Sequence, residues 1–484
     1  MRIVRLRPTG AGMRAGAAGR HLPRLAQVTA VLVLSTLLQA CGAVQSRTHG
    51  HTGHESAAGR CVVQEISRER LLDAEGRQLY IYPEVMSRSS RGEMLLAGSY
   101  NLIQNVEGKW QPFAKDSVFG AVLPPSGGAR VVISPIPLHL TEGIRAVARP
   151  DGTWVVVFAE VAPQDTLRDS TVALWHGVLD GQRWTVLERL PFPTPDEGTP
   201  VYARSGSRLI ATGEGLAWAL PHRAANGTGA FIVYEKIGGR WAYEIIHSGY
   251  ATPDLAYSDD LGLVVASHQA DRRLREDGSS IVLWVRQPTW RILHRAVSSS
   301  RSEVRRAWFD DSPAGPVLTW RAEVRGPEGS SRFEAHVMHG SIQKGDGPIV
   351  VLDPAVHPFS KVWFLPLSHG VNLWISEHAP PGGPGRDIRF ARDSAGTTVL
   401  LGSIPSPYEA FFGAAQTGPS EILISGLAMD RERTTLFSLL IRVRVECPRT
   451  SSWMDLLHPS RSAFRPGLPL PTISEIVRDP PGQA

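Results

Sequence analysis

Short apolar runs broken by tight turns fill the middle of the chain, and no stretch there keeps a convincing helical period. The clearest unit is IRAVARPDGTWVVVFAE followed by STVALWHGVLDGQRWTVLERL, over 144–190. Apolar and polar positions alternate within its strands, β-branched and aromatic residues are enriched, and DG stands where hairpin turns fall. The unit opens with a short apolar strand, turns at Gly, Asp, Ser or Pro, and continues into a strongly apolar strand. A polar stretch, a third strand, a second tight turn and a fourth strand complete it. The pattern recurs as VYARSGSRLIATGEG with GAFIVYEKIGGRWAYEIIHSG (201–249), and as LAYSDDLGLVVASHQ with SSIVLWVRQPTWRILHRAV (255–297). Fainter copies begin at RAWFDD, KVWFLP and FGAAQT, and an earlier one surrounds MLLAGSYNLIQNVEGKWQPF (94–113).

Trp110, Trp184, Trp241 and Trp290 take the same place in four units, just after the second turn. An antiparallel four-stranded unit of roughly 55 residues is the size of a propeller blade. The prediction is an all-β fold, a six- or seven-bladed β-propeller closed by N- and C-terminal strands. Two stacked β-sandwiches are the alternative, although no proline-rich linker divides the region.

Composition changes the picture at the amino terminus. The chain of 484 residues has 51 Lys+Arg against 46 Asp+Glu, but residues 1–40 hold six arginines and no acid. Beyond them 45 basic residues face 46 acidic ones, so there is no general electrostatic reason to bind nucleic acid. Leu25–Gln39 is apolar and uncharged, the length of a signal-peptide core and short for a membrane span. It runs into Leu38-Gln39-Ala40-Cys41, which resembles the lipobox of bacterial lipoproteins. That resemblance implies cleavage before Cys41, lipidation of its sulfur, and attachment to the membrane through the lipid. Gly42, where Asp would favour inner-membrane retention, leans towards the outer membrane of a Gram-negative envelope.

The expected organisation is a lipoprotein signal peptide (1–40), a polar tether (41–60), a propeller (61–447) and a Pro-rich tail (448–484). His49, His51 and His54 of the tether have a spacing that could capture Zn or Cu, but a polar tether with incidental histidines is the simpler account, and neither metal nor cofactor is expected. In an exported chain the two remaining cysteines, Cys61 and Cys447, are expected to form a disulfide that ties the start of the ring to its end.

The unit DGTWVVVFAE…STVALWHGVLDGQRWTV is similar to blades of the sialidase/BNR-like propeller superfamily, whose outer turns often carry the Asp box S-x-D-x-G-x-x-W. Ser258-Asp259-Asp260-Leu261-Gly262 keeps the first part, but Val265 stands where Trp belongs, at the first turn of its unit. A sialidase-type exo-glycosidase would need three arginines for a substrate carboxylate, a Tyr–Glu pair and an Asp acid/base. Arg145, Arg305 and Arg321 are candidates for the first; no Tyr–Glu pair can be placed with them, Tyr202 and Tyr257 being of unknown facing.

Topology points to where ligands would bind. First strands start, and second strands end, at one mouth of the central channel. The starts are Arg145, Asp254, Arg305 and Lys361; the ends are Glu160, Glu214, His268, Arg321, Glu377 and His378. Such a set is either a salt-bridged rim or a pocket for a polar or anionic ligand, with arginines holding a carboxylate. Nucleophile-elbow, zincin, P-loop and C-x-x-C signatures are all absent from the sequence. The expectation is a lipid-anchored envelope protein whose propeller binds a ligand, an envelope protein or a glycan, with the glycosidase as the alternative.

Overall fold

Runs such as WVVVFA (154–159) are apolar without interruption, so both faces of the sheet that contains them must be covered. A ring of radially packed sheets does this, since each blade is covered by its two neighbours. The computed structural model describes residues 61–447 apart from single residues and short segments, the longest of which are 113–117, 163–170, 269–278, 339–348 and 380–384. Cys41, the expected signal peptide and tether (1–60), and residues beyond Cys447 lie outside the described residues.

Among the described residues the chain forms seven antiparallel blades, numbered here 1 to 7, over 85–133, 141–189, 199–246, 251–297, 302–353, 363–405 and 408–446. Within a blade the strands follow one another outward from the axis, as in Ala251–Ser258, Gly262–His268, Ser279–Arg286 and Trp290–Val297 of blade 4. The exception is blade 7. Its inner three strands, Tyr408–Gln416, Glu421–Asp430 and Thr435–Glu446, are completed on the outside by Val62–Arg70 from the amino-terminal end. That strand pairs from Val62↔Glu446 to Arg70↔Leu439. Cys61 and Cys447 directly flank the pairing and form the expected disulfide, with Cα atoms 4.0 Å apart. No helix among the described residues is long and apolar enough to cross a membrane.

The cores lie between blades. Between blades 1 and 2, Phe119 and Phe158 meet edge to face at 5.5 Å, and Trp154 is fully buried beside them. Each such side chain removed from water contributes about 2 kcal/mol. The tryptophans that begin the outermost strands reach back to the preceding blade. Trp184 donates to the Ile133 carbonyl (2.9 Å), Trp290 to Glu244 (2.9 Å), and Trp241 meets the ring of His176 edge-on. Trp184 lies over its own sheet because position 177 is glycine; a Cβ there would stand 2.4 Å from the indole.

Two local expectations give way. Trp110 is not on an outermost strand. It belongs to a separate hairpin, Ile103–Val106 with Lys109–Pro112, inserted between the second and third strands of blade 1. In blade 3 the second strand is Gly215–Arg223, not the run ending at Glu214, and the innermost strand is split into Thr199–Pro200 and Ile210–Ala211. Pro221 argues against a strand there, since it lacks an N–H, but its carbonyl accepts from Val201 (3.0 Å) at the broken inner edge.

Ring closure through the terminal strand predicts the effect of the disulfide. Replacing both cysteines (C61S/C447S) should lower unfolding stability by roughly 2–5 kcal/mol. Reductant should lower the melting temperature of the wild type but not of the double variant, as read by thermal unfolding followed by circular dichroism.

Candidate functional site

The innermost strands present their free edges to the channel, and edge N–H groups need acceptors. Carboxylates from the neighbouring blade supply several of them. Glu84, just before the first strand of blade 1, accepts from the Ile144 N–H of blade 2 (2.8 Å) and pairs with Arg145 at 3.2 Å. Arg145 continues the belt into blade 3 by donating to the carbonyls of Ser207 (2.9 Å) and Gly206 (3.0 Å). Asp254 of blade 4 is buried and accepts from the Arg208 N–H of blade 3 (3.1 Å) and the Phe309 N–H of blade 5 (2.7 Å). Asp310 of blade 5 then meets Lys361, which leads into blade 6, at 3.3 Å. Burial pushes the Asp310 carboxyl up to about 6, against the pull of Lys361 and Arg208.

Arg145 and Asp254 are thus parts of a belt that fastens successive blades. Glu160 is tied within blade 2, accepting from Trp175 Nε1 (3.0 Å) with Arg189 at 3.8 Å. Glu214 lies outside the described residues. Arg145 has its partners on blades 1 to 3, whereas Arg305 and Arg321 both belong to blade 5, so the three arginines do not form one triad. Tyr202 lies outside the described residues, and Tyr257 packs against the core between blades 3 and 4.

The residues that do gather are on blades 4 to 6. On blade 5, Arg306 and Arg321 are cross-strand partners, and both guanidinium groups lie near the Trp308 ring, at 5.7 and 5.9 Å from its centre. Arg321 also lies 5.8 Å from the Phe333 ring centre. Arg305, displaced by a bulge beside this pair, donates to Glu323 on the adjacent strand (Nε, 2.8 Å). Facing them at the end of the second strand of blade 4 is His268, only 6% exposed, whose Nδ1 has no hydrogen-bond partner among the described residues. Burial, with Arg306, Arg321 and Arg305 nearby, lowers its pKa to about 4, so it is neutral at physiological pH. Burial and the neighbouring Arg306 and Arg305 bring the Arg321 guanidinium down to about 10. Arg305, Arg306 and Arg321 thus stand about a neutral imidazole, with Glu323 paired to Arg305.

Blade 6 adds two buried pairs. His378 Nδ1 lies 2.7 Å from Asp353, whose other oxygen accepts from Ser376 Oγ at 2.7 Å. Glu377, on the opposite face of the same strand, accepts from Ser406 Oγ (2.7 Å), with His357 at 3.5 Å and Arg386 at 3.7 Å. Burial lowers the His357 pKa, with Arg386 and Arg321 acting in the same direction and Glu377 opposing.

His268, Arg305, Arg321, Glu377 and His378 are among the strand ends expected around the mouth, whereas Arg306, Asp353, His357 and Arg386 are not. The Arg305-Arg306 doublet before an apolar run was a visible signal for the first. Asp353 ends a fourth strand, and His357 and Arg386 sit in connections, where counting the ends of inner strands does not look.

No family model matches the chain, and no curated protein matches it. Among solved structures it is similar to a protein of unknown function from Dyadobacter fermentans (12% identity, covering 79% of this chain and 99% of that one, TM-score 0.44). It is also similar to a Penicillium chrysogenum α-L-arabinanase complexed with arabinobiose (12% identity, 64% and 93% coverage, TM-score 0.44). A third is the Hadza microbial sialidase Hz136 (12% identity, 81% and 90% coverage, TM-score 0.36). At these scores the likeness says nothing of activity, and the propeller assignment rests on the strand pairing of the chain itself.

The neutral, buried His268 predicts a pH dependence. Its folded pKa of about 4 lies below the unfolded value of 6.5, so its contribution is intact above 6.5 and is lost as pH falls towards 4. The loss should reach at most about 3 kcal/mol. His268→Asn should flatten that part of the acid dependence, measured by urea unfolding at pH 7 and pH 4.5; an unchanged slope would show that other groups carry it.

Proposed function

We propose that the protein is a lipid-anchored component of the bacterial envelope whose propeller binds an anionic group at the channel mouth over blades 4 and 5. The observation that carries the reading is the crowding of Arg305, Arg306 and Arg321 about the buried, neutral His268. Guanidinium groups lying by aromatic rings keep their charge, lose part of their hydration shell, and hold carboxylates or similar oxyanions with good directionality. The lipid on Cys41 would anchor the chain to the membrane, with Gly42 favouring the outer membrane. An acidic protein segment or an acidic glycan of the envelope suits such a site.

The hydrolase alternative has less behind it. Its carboxylate-binding triad is not assembled, because Arg145 is committed to the belt between blades 1 and 3. A Tyr–Glu pair exists, Tyr243 with Glu197 at 2.9 Å, but it sits on the outermost strand of blade 3. A binding module fits these positions better than an exo-acting enzyme.

Two measurements test the proposal. Isothermal titration of the full chain in non-ionic detergent, with acidic peptides and acidic oligosaccharides as probes, should show binding that weakens with salt. Arg321→Ala or Arg306→Ala should weaken it by about tenfold or more, the effect of losing one charge-assisted contact. Equal affinity in both variants would remove the arginine cluster from the function. Metabolic labelling with a radioactive fatty acid should mark the wild type and not Cys41→Ser; an unlabelled wild type would refute the anchor.

A further inference from the structure

Apart from the arginine cluster, the same face of the ring carries a cavity of about 540 Å³ over the outer part of blade 3. Three connections build it. The link from blade 2 brings Asp196 and Glu197, the turn between second and third strands brings Ala224 to Asn226, and the end of the fourth strand brings Tyr243, Ile245 and His247.

The chemistry of its lining is one-sided. It has two carboxylates, one phenol ring, one amide and one imidazole, and neither Lys nor Arg. Glu197 is held in place: one oxygen, Oε2, accepts from Thr194 N–H (2.8 Å), Thr194 Oγ (2.8 Å) and Tyr243 O–H (2.9 Å). Those donors keep its carboxyl below the usual range, so it is ionised at any physiological pH. Its other oxygen makes no hydrogen bond to a described residue. Behind it His222, 1% exposed, bonds the Glu197 carbonyl through Nε2 at 2.9 Å, while its Nδ1 has no partner among the described residues. This wall is therefore polar, fixed and incompletely satisfied. Asp196 is exposed and lines the same cavity as Tyr243.

We propose that this cavity binds a primary ammonium group, with Glu197 and Asp196 as counter-charges and the Tyr243 ring as one wall. A second anion would be repelled by the two carboxylates, and a neutral ligand would gain nothing from their charge. A cation gains an ion pair and a contact with the ring, each worth up to about fivefold in affinity at an exposed site. A small amine should therefore bind weakly, in the range of tens of millimolar, and a polyamine or a lysine-bearing segment more tightly through repeated contacts. The inference is independent of the anion site on blades 4 and 5.

Saturation-transfer NMR on the full chain in non-ionic detergent tests it, with n-butylammonium as probe and n-butanol as its uncharged counterpart. The expected result is transfer to the ammonium well above that to the alcohol, suppressed by added salt. Asp196→Asn and Glu197→Gln should each weaken binding by about fivefold, the value of one exposed ion pair. Arg321→Ala should leave it unchanged. Since Glu197 also folds its turn, a fall in melting temperature would disqualify Glu197→Gln; Asp196→Asn, at an exposed position, then carries the test alone. Equal transfer to n-butanol, or undiminished binding by Asp196→Asn, would overturn the proposal.

Discussion

The pairing of Val62–Arg70 with Thr435–Glu446 holds the ring shut, and the other contacts depend on it. A propeller blade has no core of its own; its apolar faces are covered only by the blades on either side. Blade 7 would lack its outermost strand without the amino-terminal segment, and its contacts with blade 1 and blade 6 would have a gap at the rim. The bond between Cys61 and Cys447 sits at the end of that pairing, where the strand would start to peel away. One covalent link at the one discontinuity converts an open array into a closed cycle.

Closure also explains why charged groups line the channel. Innermost strands have no partner on the axial side, so their N–H groups need acceptors from elsewhere. Glu84 and Asp254 reach across to the next blade for this purpose, and Arg145 serves carbonyls in the same way. These residues hold the blades at a fixed rotation, which in turn fixes where side chains at the mouth stand. The arginine cluster on blade 5 is different in kind. Three guanidinium groups come from two adjacent strands of one blade, Arg305 pairs with Glu323, and a neutral histidine faces them. A belt residue completes a neighbour's hydrogen bonding; the cluster brings three guanidinium groups to one place.

Much of the fold was legible because propeller physics is repetitive. Double-faced burial writes continuous apolar runs, hairpin turns write Gly and Asp, and a repeat of nearly constant length follows. The legibility failed where local geometry breaks the repeat. Trp110 resembles its counterparts only in sequence context, since an inserted hairpin carries it out of the blade. In blade 3 the true second strand carries a proline, Pro221, which is tolerated because the adjoining inner strand is split and does not need its N–H.

The sequence by itself determined what depends on the order of residues along one strand or turn: the all-β class, the repeat, the two cysteines at its limits, and the strand ends that reach the mouth. It could not determine what depends on which blades face each other. In the repeat pattern Arg145 starts a first strand and Arg321 ends a second, so both are expected at the mouth, yet one is bound into the belt and the other lies between Trp308 and Phe333. Asp353 and His378 come from different blades and meet only because the ring sets them side by side. Glu197 and Tyr243 belong to a linker and an outer strand 46 residues apart, joined by one hydrogen bond. Pairwise distances across blades are set by closure and by the rotation from one blade to the next, neither of which is written in any single repeat.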